Sequence, residues 1–419
     1  MKKLASQQQI ICGLDIGTTK IAAVIAERAD GGEPQILGMG CVPSRGLRRG
    51  VVVNLEHTAS DIEEAVQFAE DSAGVAVDRV WAGLAGEHVR SVNSRGVIPV
   101  SKIRSEPTGE VTDIDVERVV EAAKAIALPM DRRILHVLPQ EFIVDSECGI
   151  RAPIGMAGVR LEADVHIVTC AISSAQNIIT CCKRAGLAVQ NLVLEPLASA
   201  DGVLTWDERE LGVVLLDFGG GTTDLAVFHN GTIRHTAVIG YGGDYITRDI
   251  AMGLRTPVDS AEKIKIEHGA AHHRAIAQNE YLTIPGVGGR EPQEMSRSML
   301  VSIIGPRVEE ILTMARDELK QSRTLDHIGA GVVLTGGGAS MPGMAEIAEE
   351  IFTMPVRIGA PNALMPDNMP GARPKYATAV GLIRYADKLM QSENSALPDG
   401  LNWPGRTTGK VKKWLSEIF

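Results

Sequence analysis

The sequence predicts an α/β protein built from two similar lobes. A strand–glycine turn–strand motif appears twice, a third glycine-rich turn joins a buried strand to a helix, and strands alternate with helices between them. Internal duplication is itself evidence for a repeated architecture. The chain is therefore expected to form two related cores, with the three turns gathered at the cleft between them.

The first copy of the motif reads Gly-Leu-Asp-Ile-Gly-Thr-Thr-Lys over residues 13–20. Apolar runs on both sides predict a tight turn between two strands. Hydroxyl and backbone N–H groups at such a turn bind anions. A carboxylate at a strand end can hold Mg²⁺ directly or through water, so Asp15 is a candidate magnesium-site residue. The candidate phosphate contacts of this turn are Gly17, Thr18, Thr19 and Lys20.

The second copy reads Leu-Leu-Asp-Phe-Gly-Gly-Gly-Thr-Thr-Asp over residues 215–224. It predicts the same hairpin, and two such hairpins facing each other would contact the phosphates of a nucleotide from both sides. By the same reasoning Asp217 is the second candidate magnesium-site residue. The candidate phosphate contacts here are Gly219, Gly220, Gly221, Thr222 and Thr223.

The third turn follows a buried-strand pattern at residues 332–334 and precedes a predicted helix, Ala345 to Phe352. A turn without side chains allows a flat purine to lie against the backbone. A purely structural turn would not need three consecutive glycines. The candidate adenosine contacts are Gly336, Gly337 and Gly338.

Three further segments fit a nucleotide cleft. Two helices rich in small residues, one opening at Glu195-Pro196 and one at 376–383, could pack closely as a hinge, although ordinary core packing explains either one alone. On a predicted helix at 260–267, Glu262 and Lys265 fall on one face at a spacing of three. Their alternative interpretation is a solvated ion pair.

Composition limits the function classes. The 419 residues predict two to four domains, and a hydrophobic fraction of 44% is ample for buried cores. A net charge of −10 argues against nucleic acid as the main partner, because phosphate neutralisation needs clustered Lys and Arg. Six cysteines without metal-ligand spacing favour reduced thiols. The N-terminus has no signal-peptide pattern and no run predicts a spanning helix, so we expect a cytosolic body.

The strand and helix patterns predict six regions. We assign the first lobe core to residues 10–86, 163–195 and 376–388, with the strand 163–171 resuming that lobe after an inserted α+β subdomain at 87–162. The second lobe core is predicted at 196–245 and 326–375, and a second-lobe tip at 246–325, closed by a helix from Pro306 to Ser322. Residues 389–408 predict a flexible linker, since periodicity stops and Ser, Asn, Pro and Gly dominate.

The last eleven residues, 409–419, predict an amphipathic helix. Their apolar side chains fall on one helical stripe, and lysines flank it. A lysine-rich polar face in an acidic protein suits anionic lipid headgroups, although a helix docked on the body is the alternative. A single short helix binds lipid weakly, so many copies on a polymer would strengthen the attachment. The candidate membrane-binding residues are Lys410, Val411, Lys412, Lys413, Trp414, Leu415, Ile418 and Phe419.

The three glycine turns and the two small-residue helices, in this order, resemble the actin-like ATPase superfamily. The resemblance implies an actin-like two-lobed fold, with duplicated ribonuclease-H-like cores that close around magnesium and ATP. It also implies that Glu262 and Lys265 reach the ribose and adenine. Glu195 matches a carboxylate that orients the attacking water, so Glu195 and Asp217 are the candidate catalytic residues, and we expect slow ATP hydrolysis at most.

The inserted subdomain, the Gly-Gly-Asp-Tyr-Ile-Thr run at 242–247 and the amphipathic C-terminus narrow the resemblance to the FtsA family of bacterial cell-division proteins. This resemblance implies ATP binding, self-association into actin-like filaments and attachment of the FtsZ ring to the cytoplasmic face of the inner membrane at the division site. It places the FtsZ C-terminal peptide on the tip at 246–325, where Arg297 and Lys320 are candidate contacts. It assigns the inserted subdomain to polymer contacts and to the recruitment of later division proteins.

Two other functions fit the same fold. A small-molecule kinase would need a catalytic Asp at a sugar pocket and would leave the C-terminal segment unexplained. A pilus-assembly adaptor shares the core and an inserted subdomain, but such proteins usually lack a terminal lipid-binding helix. A coupled assay across sugars and the localisation of a chain without residues 409–419 discriminate between these functions.

Overall fold

The computed structural model describes residues 9–28, 32–101, 108–277, 280–288, 290–361 and 373–394. The first half of the chain contains thirteen strands and four helices among these residues. In chain order they are β1 (Gln9–Ile16), β2 (Lys20–Arg28), β3 (Gln35–Pro43), β4 (Leu47–Arg48), β5 (Val51–Val52), α1 (Leu55–Ala73), β6 (Arg79–Leu84), β7 (Arg90–Pro99), β8 (Gly109–Glu110), α2 (Asp113–Ala123), β9 (Arg132–Val144), β10 (Glu147–Ile150), β11 (Ala157–Gly158), β12 (Arg160–Ala171), α3 (Ile172–Arg184), β13 (Ala188–Leu194) and α4 (Glu195–Val203).

The second half continues with six α-helices and seven strands within the described ranges, besides four short 3-10 helices. They are α5 (Trp206–Leu211), β14 (Val213–Phe218), β15 (Thr223–His229), β16 (Thr232–Ile239), α6 (Gly243–Leu254), α7 (Val258–His268), β17 (Tyr281–Ile284), β18 (Gln293–Ser296), α8 (Arg297–Gln321), β19 (Gly331–Thr335), α9 (Met344–Phe352), β20 (Val356–Ile358) and α10 (Ala377–Asn394).

The two lobes have sheets of the same topology, which confirms the predicted α/β fold and its duplication. One sheet has the order β13-β6-β1-β2-β3 and the other β20-β19-β14-β15-β16. In each, three antiparallel strands are followed by two parallel ones. The central strands are almost continuously apolar because helices cover both faces, as is typical of parallel sheets in α/β proteins.

A separate four-stranded sheet, β10-β9-β12-β7, forms the core of the inserted subdomain, with α2 packed against β7 and β12. The expectation that strand 163–171 rejoins the first lobe is wrong. Within β12, Ala163 pairs with Gly96 of β7 and with Phe142 of β9, so this strand completes the inserted sheet. The apolar pattern of β12 fits either sheet, and the sequence pattern alone did not distinguish between them.

The inserted subdomain packs on β16, the edge strand of the second lobe. The amide of Gln140 donates to the backbone carbonyls of Ile233, at 2.8 Å, and Arg234, at 3.1 Å. The buried imidazole of His166 lies 2.9 Å from the hydroxyl of Thr236. The subdomain is thus joined by the chain to the first lobe and by hydrogen bonds to the second.

The two helices rich in small residues pack directly on each other. A Cβ atom on Gly381 of α10 would lie 1.7 Å from the carbonyl oxygen of Ala198 on α4, and one on Gly202 would lie 2.5 Å from that of Ala377. Glycine is therefore required at both positions for this separation between the helices. The predicted close packing of the two helices is confirmed, and it connects the lobes beneath the cleft.

Two predicted boundaries are wrong. Helix α8 begins at Arg297, not at Pro306, because its buried apolar face continues through the proline and compensates for the lost hydrogen bond. Helix α10 extends to Asn394, so the linker cannot begin at residue 389; Leu389 is only 2% exposed.

The rest of the predicted linker and the helix at 409–419 lie outside the described residues. Within the described ranges, no helix has both the length and the apolar character needed to cross a membrane.

Candidate functional site

The first hairpin joins β1 to β2 through a tight turn in which the Gly17 amide donates to the Lys20 carbonyl at 3.0 Å. Asp15 is buried at the end of β1 and forms an ion pair with the Lys20 ammonium. Burial alone would lower the pKa of Lys20, but the Asp15 carboxylate raises it above the ordinary lysine value. The Thr18 hydroxyl accepts a hydrogen bond from the Gly50 amide at 3.0 Å, whereas Thr19 is exposed.

The second hairpin joins β14 to β15 in the same way, with the Gly219 amide donating to the Thr222 carbonyl at 3.0 Å. The buried carboxylate of Asp217 accepts hydrogen bonds from Ser199 Oγ at 2.6 Å and Thr378 Oγ1 at 3.2 Å. These hydroxyls belong to α4 and α10, so the helices beneath the cleft orient this carboxylate.

Thr223 does not face the cleft. Its hydroxyl donates to the carbonyl of Tyr241 at 2.9 Å and its side chain is fully buried. The side chain of this candidate phosphate contact is thus turned away from the cavity, because neighbouring side chains alternate in direction and that of Thr222 takes the cavity-facing position. The Thr222 hydroxyl instead donates to Asp224 at 3.1 Å.

The two hairpins face each other at their tips. A Cβ atom on Gly220 would lie 2.3 Å from Thr19 Cγ2, and one on Gly221 would lie 2.5 Å from Thr18 Oγ1. Larger residues in the second hairpin would therefore force the lobes apart. The glycines let two backbones approach while their N–H groups remain available to an anion.

The third glycine turn borders the same cleft from the second lobe. Gly336 has φ +85, and a Cβ atom there would lie 2.3 Å from Asp217 Oδ1. A Cβ atom on Gly338 would lie 2.2 Å from the ring of Phe218, whereas one on Gly337 would meet only Lys375, at 4.0 Å. The backbone at Gly337 is thus open to the cleft, and a flat group could lie against it.

Opposite this turn, α7 contributes a fixed ion pair. Lys265 Nζ lies 2.6 Å from Glu262 Oε2 and donates to the Gly243 carbonyl at 3.1 Å and to the Thr247 hydroxyl at 2.8 Å. The Thr247 hydroxyl also donates to Glu262. The alternative of a merely solvated pair does not hold, because Lys265 is mostly buried and both side chains line the cleft.

The hairpins, the glycine turn and α7 enclose one cavity of about 740 Å³. This volume is within the usual range of about 300–1,000 Å³ for small-molecule sites. The cavity brings together every predicted nucleotide and metal residue except Thr223. Its predicted lining residues are Asp15, Gly17, Thr18, Thr19, Lys20, Glu195, Asp217, Gly219, Gly220, Gly221, Thr222, Glu262, Lys265, Gly336, Gly337 and Gly338.

Five carboxylates line the cavity, and in the described part of the chain only two of them form ion pairs, Asp15 with Lys20 and Glu262 with Lys265. Burial raises the pKa of Glu195 well above its ordinary value, and Asp15 raises it further. Burial and the charge of Asp15 likewise raise the pKa of Asp217. Burial, with the charge of Asp217, raises the pKa of Asp224 to about 8. A cation entering the cavity would therefore be stabilised.

The residues fit a magnesium–nucleotide ligand. Asp224 Oδ1 is buried without a hydrogen-bond partner in the described residues, which leaves a lone pair for an incoming donor or cation. Residues 9–394, apart from the gaps named above, contain no group of three His, Cys, Asp or Glu placed to hold a metal by themselves. Mg²⁺ usually binds through one or two carboxylates, water and substrate phosphates, so Asp15 and Asp217 would suffice as its protein partners.

Sequence reasoning missed several residues that line the cavity or orient its side chains. Asp224 and Thr378 line the cavity, Ser199 orients Asp217, and Arg373 and Lys375 add cations to those of Lys20 and Lys265. Asp224 was detectable, since it ends the second copy of the motif. The roles of Ser199 and Thr378 depend on helix packing, which residue spacing does not show.

Arg297 and Lys320, the candidate peptide contacts, differ in how far their charges are already paired within the protein. Arg297 donates to Glu280 at 2.5 Å and to the His268 carbonyl at 2.8 Å, so it is already paired. Lys320 lies on α8 with 54% of its side chain exposed, 3.8 Å from Asp317.

The fold is similar to that of several solved actin-like proteins. The PilM–PilN type IV pilus biogenesis complex matches with a TM-score of 0.65 at 18% identity, over 89% of this chain and 97% of that chain. MreB5 of Spiroplasma citri bound to ADP matches with a TM-score of 0.53 at 14% identity, over 91% and 98%. At these identities the likeness shows the fold alone, and that fold is the actin-like ATPase fold.

The family follows from sequence. A model described as "SHS2 domain inserted in FTSA" matches residues 86–169, a range that includes most of β12. A model described as "Cell division protein FtsA" matches residues 214–381. The Cell division protein FtsA of Pseudomonas aeruginosa is 48% identical over 416 residues, which cover 98% of each chain. The chain belongs to the FtsA family of cell-division proteins.

Proposed function

We propose that this protein binds ATP with Mg²⁺ in the cleft and uses the nucleotide to control its assembly in cell division. The observation that carries the proposal is the pair of facing glycine hairpins, with their strand-end carboxylates at one cavity. Lys20 and the hairpin N–H groups would hold the phosphates, and Asp15 and Asp217 would hold the ion. The glycine turn at 336–338 would border the adenosine, with Glu262 and Lys265 on its other side.

Hydrolysis would depend on Glu195 as the group that orients water. Mg²⁺ would neutralise the developing phosphate charge, which is the chemistry that the ion supplies. Burial raises the pKa of Glu195 well above its ordinary value, which disfavours the ionised form that would accept a proton from water. We expect slow hydrolysis at most, so that the bound nucleotide acts mainly by favouring one conformational state over another.

Self-association would use exposed apolar side chains on the inserted subdomain. Met130 is fully exposed, and Ile114 and Val97 are 58% and 50% exposed. Apolar surface of this kind is typical of protein–protein contacts when it is contiguous. We infer that this subdomain contacts neighbouring copies in an actin-like filament and recruits later division proteins.

The second-lobe tip would receive the FtsZ C-terminal peptide. It exposes Met252 at 78%, Ile266 at 70% and Met299 at 53%. The exposed ammonium of Lys320 lies on the same lobe and suits an acidic peptide. Arg297 is the weaker candidate, because its charge is already compensated by Glu280.

The amphipathic residues 409–419 would attach the protein to the cytoplasmic face of the inner membrane and so anchor the FtsZ ring. Co-sedimentation with anionic vesicles tests this, comparing the full chain with one ending at Thr408, each with and without magnesium and ATP. We expect only the full chain to pellet with lipid, and more of it with ATP.

A Trp414→Glu variant keeps the lysines and removes one anchor of the apolar stripe, so it should bind less than the full chain. Equal pelleting of the truncated and full chains would refute membrane attachment through this segment. If the full chain pellets with lipid equally with and without ATP, the link between nucleotide and assembly is refuted.

A further inference from the structure

A contact between the lobes crosses the mouth of the cleft beside the hairpins. Arg49 follows β4 in the first lobe, and its guanidinium donates to the hydroxyl of Tyr245 on α6 of the second lobe. The guanidinium carbon lies 5.4 Å from the centre of the Tyr245 ring, within the range of a cation–π contact. The other terminal nitrogen lies 3.3 Å from Glu87, which is half exposed.

The Arg49 backbone is fixed against both hairpins. The amide of Gly50 donates to Thr18 Oγ1 at 3.0 Å, which ties the turn to the first hairpin. A Cβ atom on Gly221 would lie 2.9 Å from Arg49 Cα, which places the turn against the second hairpin as well. Arg49 has φ +50, a conformation that non-glycine residues adopt rarely and that is maintained only by its surroundings.

The other partner, Tyr245, is tied to the second hairpin through the start of α6. The amides of Gly243 and Asp244 donate to the carbonyls of Gly219 and Gly220, at 3.0 Å and 2.8 Å. A change in the position of either hairpin therefore moves one side of the Arg49–Tyr245 contact. The Arg49–Tyr245 hydrogen bond therefore depends on the separation of the two hairpins.

We propose that Arg49 is a positioning residue that couples the phosphates bound between the hairpins to closure of the two lobes through Tyr245. This inference rests on the proposed nucleotide site and adds that the site distinguishes a triphosphate from a diphosphate. A triphosphate contacts both hairpins and fixes their separation, so the Arg49–Tyr245 contact stabilises the triphosphate-bound state. A diphosphate constrains the hairpin tips less, so the Arg49–Tyr245 contact stabilises the diphosphate-bound state less.

The test compares magnesium–ATP and magnesium–ADP dissociation constants in the full chain for Tyr245→Phe, Arg49→Met and the double variant. We expect ATP affinity to fall by about tenfold in each, ADP affinity to stay within about twofold, and the double variant to match the singles. Arg248→Met is the matched control: Arg248 also lies over the Tyr245 ring, at 5.5 Å, but belongs to α6 itself and does not cross the cleft.

A purely structural role would lower thermal stability and change both nucleotide affinities equally. An unchanged ratio of ATP to ADP affinity in Tyr245→Phe and Arg49→Met would overturn the inference, as would additive effects in the double variant. If the wild-type protein binds neither nucleotide, the proposed function itself fails, and that outcome is distinct. Tyr245→Phe removes only one oxygen atom, so it still tests the inference if Arg49→Met misfolds.

Discussion

The two hairpins have the same backbone turn but differ in how their strand-end carboxylates are compensated. In the first, Asp15 lies opposite Ala22 across the strands and forms an ion pair with Lys20. In the second, Asp217 lies opposite a second carboxylate, Asp224, and Thr222 occupies the position that corresponds to Lys20. Hydroxyl groups, not a cation, contact the second pair.

This difference assigns different tasks to the two copies. The first hairpin is close to electrically neutral and presents a lysine to an anion. The second holds two carboxylates whose pKa values are raised chiefly by burial, with the charge of Asp15 adding to the shift of Asp217 and that of Asp217 to the shift of Asp224. We infer that the first hairpin is organised for phosphate and that the second gains stability when a cation arrives with the nucleotide.

The largest effect is expected from removing the cation of the first hairpin. Lys20→Met should weaken magnesium–ATP binding by about a hundredfold, since a hydrogen bond to a charged group contributes up to about 3 kcal/mol. Binding of a fluorescent ATP analogue measures this. Lys124→Met, at a surface ion pair at the C-terminal end of α2, is the control, and a change of less than twofold in Lys20→Met would contradict the assignment.

Asp217→Asn should reduce the gain in ATP affinity that Mg²⁺ provides, rather than the ATP affinity measured without the ion. The substitution removes one negative charge and keeps a side chain that Ser199 and Thr378 can still contact. We expect the gain in ATP affinity on adding Mg²⁺ to fall by about tenfold. Asp71→Asn on the surface of α1 serves as control, and a full magnesium effect in Asp217→Asn would argue against a metal role.

The carboxylate pair of the second hairpin predicts a pH dependence in the absence of nucleotide. Asp224 has a folded pKa of about 8, above its unfolded value of 3.8, so the folded state binds its proton more tightly. Stability therefore falls as pH rises from about 4 to 8, by at most about 1.4 kcal/mol per pH unit, and levels off above 8.

Asp224→Asn should remove this slope and be more stable than wild type at pH 8. Urea midpoints at pH 6, 7 and 8 measure the effect, with Asp71→Asn as control. Parallel curves for wild type and Asp224→Asn would show that this carboxylate is ionised in the absence of nucleotide.

The smallest effect separates two adjacent threonines of the second hairpin. Thr223→Val loses a hydrogen bond to Tyr241 outside the cavity, so stability should fall by about 1 kcal/mol with ATP affinity within twofold. Thr222→Val loses the donor to Asp224 inside the cavity, and ATP affinity should change by about fivefold. Thermal unfolding and ATP binding are measured on both variants. If the two variants bind ATP with equal affinity, Thr222 lies outside the site.

The sequence was sufficient where a short motif fixes local geometry. Both hairpins and the glycine turn follow from residue spacing, and the repeated motif indicates duplication, whereas the two-lobed topology was implied by the resemblance to the actin-like superfamily. The sequence was insufficient where geometry depends on a distant partner: β12 pairs with β7 and β9, Thr223 turns towards Tyr241, and Ser199 reaches Asp217 only after α4 packs on α10. Such contacts join segments that are far apart in the chain, so residue spacing cannot predict them.

The most direct test of the central claim is calorimetric titration of magnesium–ATP into the full chain, beside the Lys20→Met/Asp217→Asn double variant. The account predicts one site per chain in the wild type, which needs Mg²⁺ for full affinity, and no detectable binding heat in the double variant. Equal affinity in the two proteins would contradict it, because nucleotide would then bind without either hairpin.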